Sequence, residues 1–177
     1  MAMAEKTTEN KNGAGDQNYD TYQLIVFKQG QEEYALHIDQ IKEVVITPNI
    51  TKMPQSASYI KGVANIRGNI IAILDLEERF GLSKSNVEAV NSSKNYTLVI
   101  ESEDFKVGIL VKEVPNTLAI NANEIDENVN IVQDANVEQN YIKGIVKVKN
   151  RLIILIDIFK VMTLNEVHSA MGKTVNV

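Results

Sequence analysis

Two aspartates, Asp75 and Asp157, are the residues whose type and spacing first suggest chemistry, because each follows a run of aliphatic residues. Carboxylates can act in acid–base catalysis or bind a metal ion. Glu78 follows Asp75 by three residues, however, and this spacing is typical of a capping box at the start of a helix. We therefore expect Asp75 to cap a short helix that runs to Phe80, and chemistry at the two aspartates is the weaker alternative.

The other residues that could do chemistry are not arranged as a catalytic or metal site. The histidines, His37 and His168, lie far apart, and no cluster of His, Cys or carboxylates has the spacing of metal ligands. Residues 62–68 lack the glycine pattern and the Lys-Ser/Thr of a phosphate-binding loop, and no serine has the surroundings of a nucleophile elbow. The sequence therefore predicts no enzyme activity, no metal and no other cofactor.

Charge and composition exclude several classes of partner. The net charge of −5 and the pI near 5.1 do not provide the basic surface that nucleic acids require. Cysteine is absent, which excludes disulfides and thiolate sites and favours the cytoplasm. Residues 1–20 resemble a disordered tail without the apolar stretch of a signal peptide, and no later apolar run reaches the roughly 18 residues that cross a membrane. Any membrane association is expected to be indirect.

A repeated segment organises the chain. Residues 59–80 align without gaps on residues 141–162, which indicates a duplicated supersecondary unit. The six identical pairs at this offset are Tyr59/Tyr141, Ile60/Ile142, Lys61/Lys143, Gly62/Gly144, Ile71/Ile153 and Asp75/Asp157.

Each copy predicts the same local structure. A helical turn at 55–61 or 138–143 is expected to stop at Gly62 or Gly144, because helix ends favour glycine. A hairpin then follows, with its tight turn at Arg67-Gly68 or Lys149-Asn150, where Gly or Asn would take the left-handed conformation. The second strand of each hairpin, 70–74 or 152–156, is apolar throughout and is predicted to be buried on both faces.

The rest of the chain repeats more weakly. Residues 22–28 and 33–38 predict a hairpin, residues 96–101 match 22–27, and residues 111–114 match 41–44. A short helix is expected near 123–128. The predicted fold is therefore all-β, with two tandem SH3-like five-stranded barrels produced by the duplication. The expected boundaries are a first barrel at about 21–82, a linker at about 83–95, a second barrel at about 96–162 and a C-terminal segment at 163–177. Exchange of terminal segments between the barrels stays open.

With these residues in hand, the chain resembles the CheW-type coupling proteins of bacterial chemotaxis over about 22–162. The most specific part runs from Tyr59 to Leu76, YIKGVANIRGNIIAILDL, which is similar to the family signature aromatic-I-K-G-V-x-N-L-R-G-x-I-x-P-I-x-D-L. Ala72 stands where the family usually has Pro. Glu32-Glu33-Tyr34 and residues 41–44 add to the resemblance.

The resemblance implies a non-enzymatic adapter that couples the cytoplasmic tip of transmembrane chemoreceptors to the regulatory domain of the CheA histidine kinase. It implies a cytoplasmic protein recruited to membrane receptor arrays. In the family the receptor tip docks in the groove between the barrels, and the kinase contacts are expected at exposed apolar patches on the barrel ends, without residues assigned. The matching receptor-binding positions are Ile41, Glu43, Gly62, Arg67, Gly108 and Val114.

Two other interpretations remain from the sequence. One is a barrel module that binds a peptide or small ligand outside chemotaxis. The other is a CheV-related coupling protein without its receiver domain. Arg67 could also be only a solvated charge, as an arginine on a hairpin turn often is. Binding of chemoreceptors and a histidine kinase is the observation that would distinguish a coupling protein from a barrel module outside chemotaxis.

Overall fold

The computed structural model describes residues 20–82, 95–128 and 141–162, together with Glu166. Within these ranges the chain forms eleven strands and two short α-helices, which confirms the predicted mainly β class. The strands are β1 (Thr21–Gln29), β2 (Glu32–His37), β3 (Ile41–Ile46), β4 (Ile60–Ile66), β5 (Asn69–Leu74), β6 (Tyr96–Glu101), β7 (Lys106–Val111), β8 (Asn116–Asn121), β9 (Ile125–Asp126), β10 (Ile142–Val148) and β11 (Arg151–Ile156). The helices are α1 (Leu76–Arg79) and α2 (Ile158–Val161), and 3-10 turns occupy Ile38–Gln40 and Ala122–Glu124.

Three of the sequence-based predictions fall almost entirely outside the described residues. They are the N-terminal tail at 1–20, the linker at 83–95 and the C-terminal segment at 163–177. The predicted helix near 123–128 is instead the 3-10 turn Ala122–Glu124 followed by β9. Within the described ranges, no helix has the length and apolar character needed to cross a membrane.

The strands form two sheets, and each sheet curls into a small SH3-like barrel. The first sheet has the order β8-β1-β2-β11-β10-β9, and the second has the order β3-β6-β7-β5-β4. Neighbouring strands are antiparallel except for two parallel pairs, β2 with β11 and β5 with β7. The two-residue β9 adds a sixth strand to the first sheet beyond the five predicted for each barrel.

Each sheet takes strands from both halves of the chain. β1 and β2 lie in one sheet with β8, β10 and β11, whereas β3, β4 and β5 lie in the other with β6 and β7. The sequence left this exchange open, and the strand order shows that it occurs. β3 pairs with β6 in the second sheet as β8 pairs with β1 in the first, so β8 is the counterpart of β3.

This exchange corrects the predicted match between residues 111–114 and 41–44. β7 ends at Val111, a bend follows at Lys112 and Glu113, and the strand that takes the place of β3 begins only at Asn116. The sequence match is wrong as a structural equivalence because the chain must leave the second sheet at this point and cross to the edge of the first.

Three apolar clusters hold the molecule together. The largest lies between the sheets and joins Phe27 and Leu36 of the first sheet to Leu98 and Ile109 of the second. A smaller cluster that includes Leu24 belongs to the first sheet, and a third belongs to the second sheet. The third cluster, called here the second-barrel core, contains Ala64, Ile66, Ile71, Ile73 and Val99. Both faces of the central strands are therefore covered, which explains their unbroken apolar sequence.

The two predicted hairpins are confirmed, with a correction to their turns. Arg67 and Gly68 both have positive φ, 51° and 84°, as a two-residue turn between twisted strands requires. In the second hairpin the left-handed residue is Lys149, with φ of 52°, rather than Asn150. The predicted burial of the following strand holds for Ile71–Leu74, but Ile70 beside the turn is exposed, as is its counterpart Leu152.

The helical turns predicted before Gly62 and Gly144 are wrong. Residues from Ile60 onward already belong to β4, and residues from Ile142 onward to β10, while residues 138–140 lie outside the described ranges. The register of each strand shifts at its glycine, which is the sign of a β-bulge. Gly62 has φ of 144°, so the sequence signal for a helix end came from a bulge with the same need for glycine.

The two aspartates act as helix caps, as the spacing predicted for Asp75. Asp75 Oδ1 accepts a hydrogen bond from the Glu78 backbone N–H at 3.2 Å, and Asp157 Oδ1 accepts one from Phe159 N–H at 3.0 Å. Asp75 also forms an ion pair with Lys61 at 3.0 Å. Both carboxylates thus have structural partners that account for their positions.

Candidate functional site

Glu43 and Arg67 form an ion pair that joins the two edges of the second sheet. Glu43 lies on the edge strand β3, and Arg67 lies in the turn after the opposite edge strand, β4. The Arg67 Nε donates to Glu43 Oε2 at 2.6 Å, with 74% of the arginine side chain and 22% of the glutamate side chain exposed. An ion pair this exposed contributes at most about 1 kcal/mol to folding. The pair leaves the Arg67 guanidinium mostly exposed to solvent and holds the Glu43 carboxylate in a fixed direction.

A bulge in β3 determines where Glu43 points. Ile41 lies opposite Ile100, but Glu43 lies opposite Val99, so one extra residue is accommodated between them. Opposed residues in a sheet share a face. Ile41 therefore packs with Ile100 on the core between the sheets, whereas Glu43 shares the face of the second-barrel core with Val99. Without the bulge, residues 41 and 43 would point to the same side.

The two predicted site glycines lie in one row with Glu43 across the second sheet. Pairing runs from Glu43 to Val99, then to Gly108, Ile73 and Gly62. This row passes through all five strands of the sheet, and the carboxylate stands at its β3 end.

Both glycines are buried and allow close approach of neighbouring groups. A Cβ on Gly108 would lie 2.5 Å from Thr97 Cγ2 and 2.8 Å from Ile73 Cδ1. A Cβ on Gly62 would lie 2.2 Å from the carbonyl oxygen of Thr51, which pairs with Val63 beside it. The glycines thus shape the sheet beneath the ion pair, and their direct contact with a partner stays a prediction.

The remaining two predicted site residues differ in their placement. Ile41 is half-buried at the start of β3, two residues before Glu43. Val114 is exposed in the segment between β7 and β8, and its neighbour Glu113 forms an ion pair with Lys28 of β1, at 3.5 Å. Within the described part of the chain, no hydrogen bond or ion pair connects Val114 to the Glu43–Arg67 pair. The structure therefore joins five of the six predicted positions through one sheet and leaves Val114 apart.

Exposed aliphatic side chains near the ion pair were not predicted. Val44 and Ile46 follow Glu43 on β3, and Ile70 lies three residues after Arg67. The uniformly apolar sequence of β5 suggested that Ile70 was buried. Its position next to a hairpin turn was the signal that could have identified it as exposed.

The second hairpin does not repeat the ion pair. Lys149 occupies the turn position of Arg67, but no ion pair with it is formed among the described residues. Arg151 instead makes a two-pronged contact with Glu33 of β2, at 3.0 Å and 2.7 Å. The hydrogen bonds that Arg151 donates to Glu33 lower the pKa of the Glu33 carboxyl and raise the pKa of Arg151.

The strongest shifts in pKa belong to buried tyrosines outside this site. Burial raises the pKa of Tyr34 to about 12, and burial also raises the pKa of Tyr59. Tyr34 stacks against Phe80, which in turn stacks on Tyr141 at a ring distance of 4.5 Å. These shifts follow from packing between the sheets. In the described ranges, no group of three His, Cys, Asp or Glu is placed to hold a metal ion.

Comparison with known proteins identifies what the chain is similar to. The family model described as a CheW-like domain matches residues 23–166. The chemotaxis protein CheW of Thermotoga maritima is 30% identical over 141 residues, which cover 80% of this chain and 87% of that protein. The Bacillus subtilis chemotaxis protein CheW is 30% identical over 150 residues, covering 83% and 90%. The crystal structure of the scaffolding protein TtCheW from Thermoanaerobacter tengcongensis superposes with a TM-score of 0.70 at 28% identity, over 86% of this chain and 94% of that one.

Proposed function

The chain belongs to the CheW-like family of chemotaxis scaffold and adapter proteins, and from this premise we propose that it couples chemoreceptors to the CheA histidine kinase. The receptor contributes the tip of its cytoplasmic helical hairpin, and the kinase contributes its regulatory domain. The protein itself works in the cytoplasm and reaches the membrane only through the receptors. Its role is to hold partners in place, without catalysis.

The observation that carries the receptor contact is the exposed Glu43–Arg67 pair. Because the pair contributes little to folding, a partner could cover or rearrange it at small cost to the stability of the folded protein. A partner that covers Arg67 would remove water from a guanidinium already oriented by Glu43, and arginine is enriched among residues that dominate binding energy. Gly62 and Gly108 would maintain the shape of the sheet, while Ile41, which points to the other face of β3, and Val114 would lie at the border of the surface.

The kinase contact is proposed at the exposed ends of the hairpins. Ile70 and Leu152 occupy matching positions after the two turns, and both are exposed although they are aliphatic. The equivalent placement of these two exposed side chains in both copies of the repeat is what supports this proposal. The second hairpin, which carries Leu152, would meet the kinase regulatory domain, because the first carries Arg67 of the proposed receptor contact.

The test is direct binding of purified components. The protein is titrated separately with a receptor fragment that contains the helical tip and with the kinase regulatory domain. We expect saturable binding to both, and a complex of all three in which neither partner displaces the other. Competition between receptor and kinase for one surface would contradict the proposed arrangement, and binding of neither would refute the coupling function.

A charge exchange distinguishes the ion pair from Arg67 itself. In Glu43→Arg/Arg67→Glu the pair is retained with its ends reversed. Arg67→Glu alone is expected to weaken receptor binding. We expect the double variant to bind the receptor just as weakly, because the guanidinium has moved from the hairpin turn to the strand. Full recovery relative to Arg67→Glu would show that only the pair matters and would remove Arg67 as a direct contact.

A further inference from the structure

A side chain of β4 completes the hydrogen bonding of the first hairpin turn. The last pair of the β4–β5 ladder is Ile66 with Asn69, so the backbone N–H groups of the two turn residues, Arg67 and Gly68, lie beyond the ladder. The Gly68 N–H instead donates to Asn65 Oδ1 at 2.9 Å. Asparagine side chains often accept from a backbone group a few residues ahead in this way. Asn65 thus supplies an acceptor that strand pairing does not provide.

This hydrogen bond restrains the backbone of Arg67. The peptide unit between Arg67 and Gly68 is planar, so the direction of the Gly68 N–H is set by the rotation of that unit about the Arg67 backbone. Arg67 has φ of 51°, in the left-handed region that side chains disfavour. An acceptor held at Asn65 therefore opposes rotation of this peptide out of the present turn.

The direction of the Arg67 side chain depends on the same backbone. Its Nε–H donates to Glu43 Oε2, although most of the side chain is exposed. An exposed arginine has many rotamers, and ordering it costs conformational entropy. Arg67 is therefore held at two points, by Asn65 through the turn backbone and by Glu43 at the guanidinium.

The second hairpin shows that the fold itself does not need this hydrogen bond. The repeat places Lys147 at the position of Asn65, and an ammonium group has donors but no acceptor. Lys147 pairs instead with Asp126 at 3.1 Å. Lys149 nevertheless has φ of 52°, close to that of Arg67. Of the two hairpins, the one with the acceptor is the one that carries the proposed receptor contact.

We propose that Asn65 is a positioning residue, which holds the turn so that the Arg67 guanidinium is directed beside Glu43 before a partner arrives. A side chain that is ordered in the free protein loses less entropy on binding, so this restraint strengthens the complex. The effect on binding rests on the proposed function. The orientation of Arg67 in the free protein does not.

The first test measures the order of the Arg67 side chain in the full chain, without a partner. The heteronuclear NOE of the Arg67 Nε–H group reports motion on the picosecond to nanosecond timescale. We expect it to fall in Asn65→Ala, which removes the acceptor, and to be retained in Asn65→Asp, which keeps an acceptor oxygen. Asn69→Ala is the matched control, because it removes an exposed amide side chain on the other side of the turn. An unchanged NOE in Asn65→Ala, or an equal fall in Asn69→Ala, would overturn the proposal.

The second test is titration with the receptor-tip fragment. Asn65→Ala should bind about fivefold more weakly than the wild type, which corresponds to about 1 kcal/mol, and Asn65→Asp should recover most of this loss. In an Arg67→Ala background the same Asn65→Ala substitution should have no further effect, because Asn65 acts through Arg67. A further fivefold loss in that background would show direct contact of Asn65 with the receptor and would overturn the positioning role.

The two tests separate this inference from the proposed function. If Arg67→Ala binds the receptor as tightly as the wild type, the receptor contact is refuted, and the effect of Asn65 on binding falls with it. The NOE of Arg67 requires no receptor, so it decides the positioning role in either case.

Discussion

Substitution of Gly62 by alanine tests whether this glycine acts through packing. At φ of 144° an alanine is strained by about 1–3 kcal/mol. Its Cβ would also lie 2.2 Å from the Thr51 carbonyl oxygen, which cannot move aside like the end of a side chain. Thr51 and Val63 exchange two backbone hydrogen bonds of 2.8 Å, and displacing Thr51 weakens both, at about 1 kcal/mol each. With strain at the lower end of its range, we expect a total loss of about 3 kcal/mol.

The assay is urea unfolding, with thermal unfolding as a second measure. For a chain of this size, about 3 kcal/mol corresponds to a fall in Tm of roughly 6–12 °C. Gly68→Ala is the control for backbone strain alone, because φ is 84° but no atom lies within 4 Å of the added Cβ. It should cost about 1 kcal/mol.

If Gly62→Ala unfolds at the same urea concentration as the wild type, Gly62 does not act through packing. If it is equally stable and yet loses receptor binding, Gly62 contacts the receptor directly, and its burial in the free protein does not describe its role.

Three further outcomes are expected. Gly108→Ala should lower the free energy of unfolding by about 2 kcal/mol through overpacking against Ile73, and an unchanged urea midpoint would contradict this. Glu77→Ala should lower the free energy of unfolding by about 2 kcal/mol, because the buried carboxylate accepts hydrogen bonds from Gly30 N–H at 3.0 Å and Lys112 Nζ at 2.8 Å. Glu77→Gln keeps an acceptor for Gly30 and should lower it less in the same urea assay. Burial and nearby Lys143 lower the pKa of His37 in the folded protein, although Asp39 acts in the opposite direction. In the unfolded chain the pKa of His37 is about 6.5, so as the pH falls the unfolded chain binds a proton before the folded one does. The free energy of unfolding therefore decreases as the pH falls from about 6.5 through the folded pKa. The melting temperature of His37→Gln should therefore fall less than that of the wild type between pH 7.5 and 5, and parallel falls would refute the shift.

Local signals in the sequence predicted the hairpins and the cap. Arg67-Gly68 marked a tight turn because glycine accepts positive φ, and the three-residue spacing from Asp75 to Glu78 marked a helix start. Each of these structures depends on a few adjacent residues. The duplication and the number of short strands in each half predicted two small SH3-like barrels, and the resemblance to a known family implied the same fold.

The bulges and the strand exchange could not be predicted in the same way. A glycine at position 62 is compatible with either a helix end or a β-bulge, and only the close contact with the Thr51 backbone distinguishes the two. The exchange depends on pairings such as Ile154 with Tyr34, more than one hundred residues apart, which leave no local pattern. For the site, the contact of Glu43 with Arg67 required the bulge in β3 and the meeting of two sheet edges.

The measurement that tests the central claim most directly is receptor-tip affinity for Arg67→Glu. Arg67 is exposed, so the substitution should change the melting temperature little, and binding of the kinase regulatory domain should be retained. Lys149→Glu, at the matching turn of the second hairpin, is the internal control and should bind the receptor nearly as the wild type does. We predict at least a tenfold weaker receptor affinity for folded Arg67→Glu, equivalent to about 1.4 kcal/mol. Equal affinity of folded Arg67→Glu and wild type would contradict the proposed docking surface.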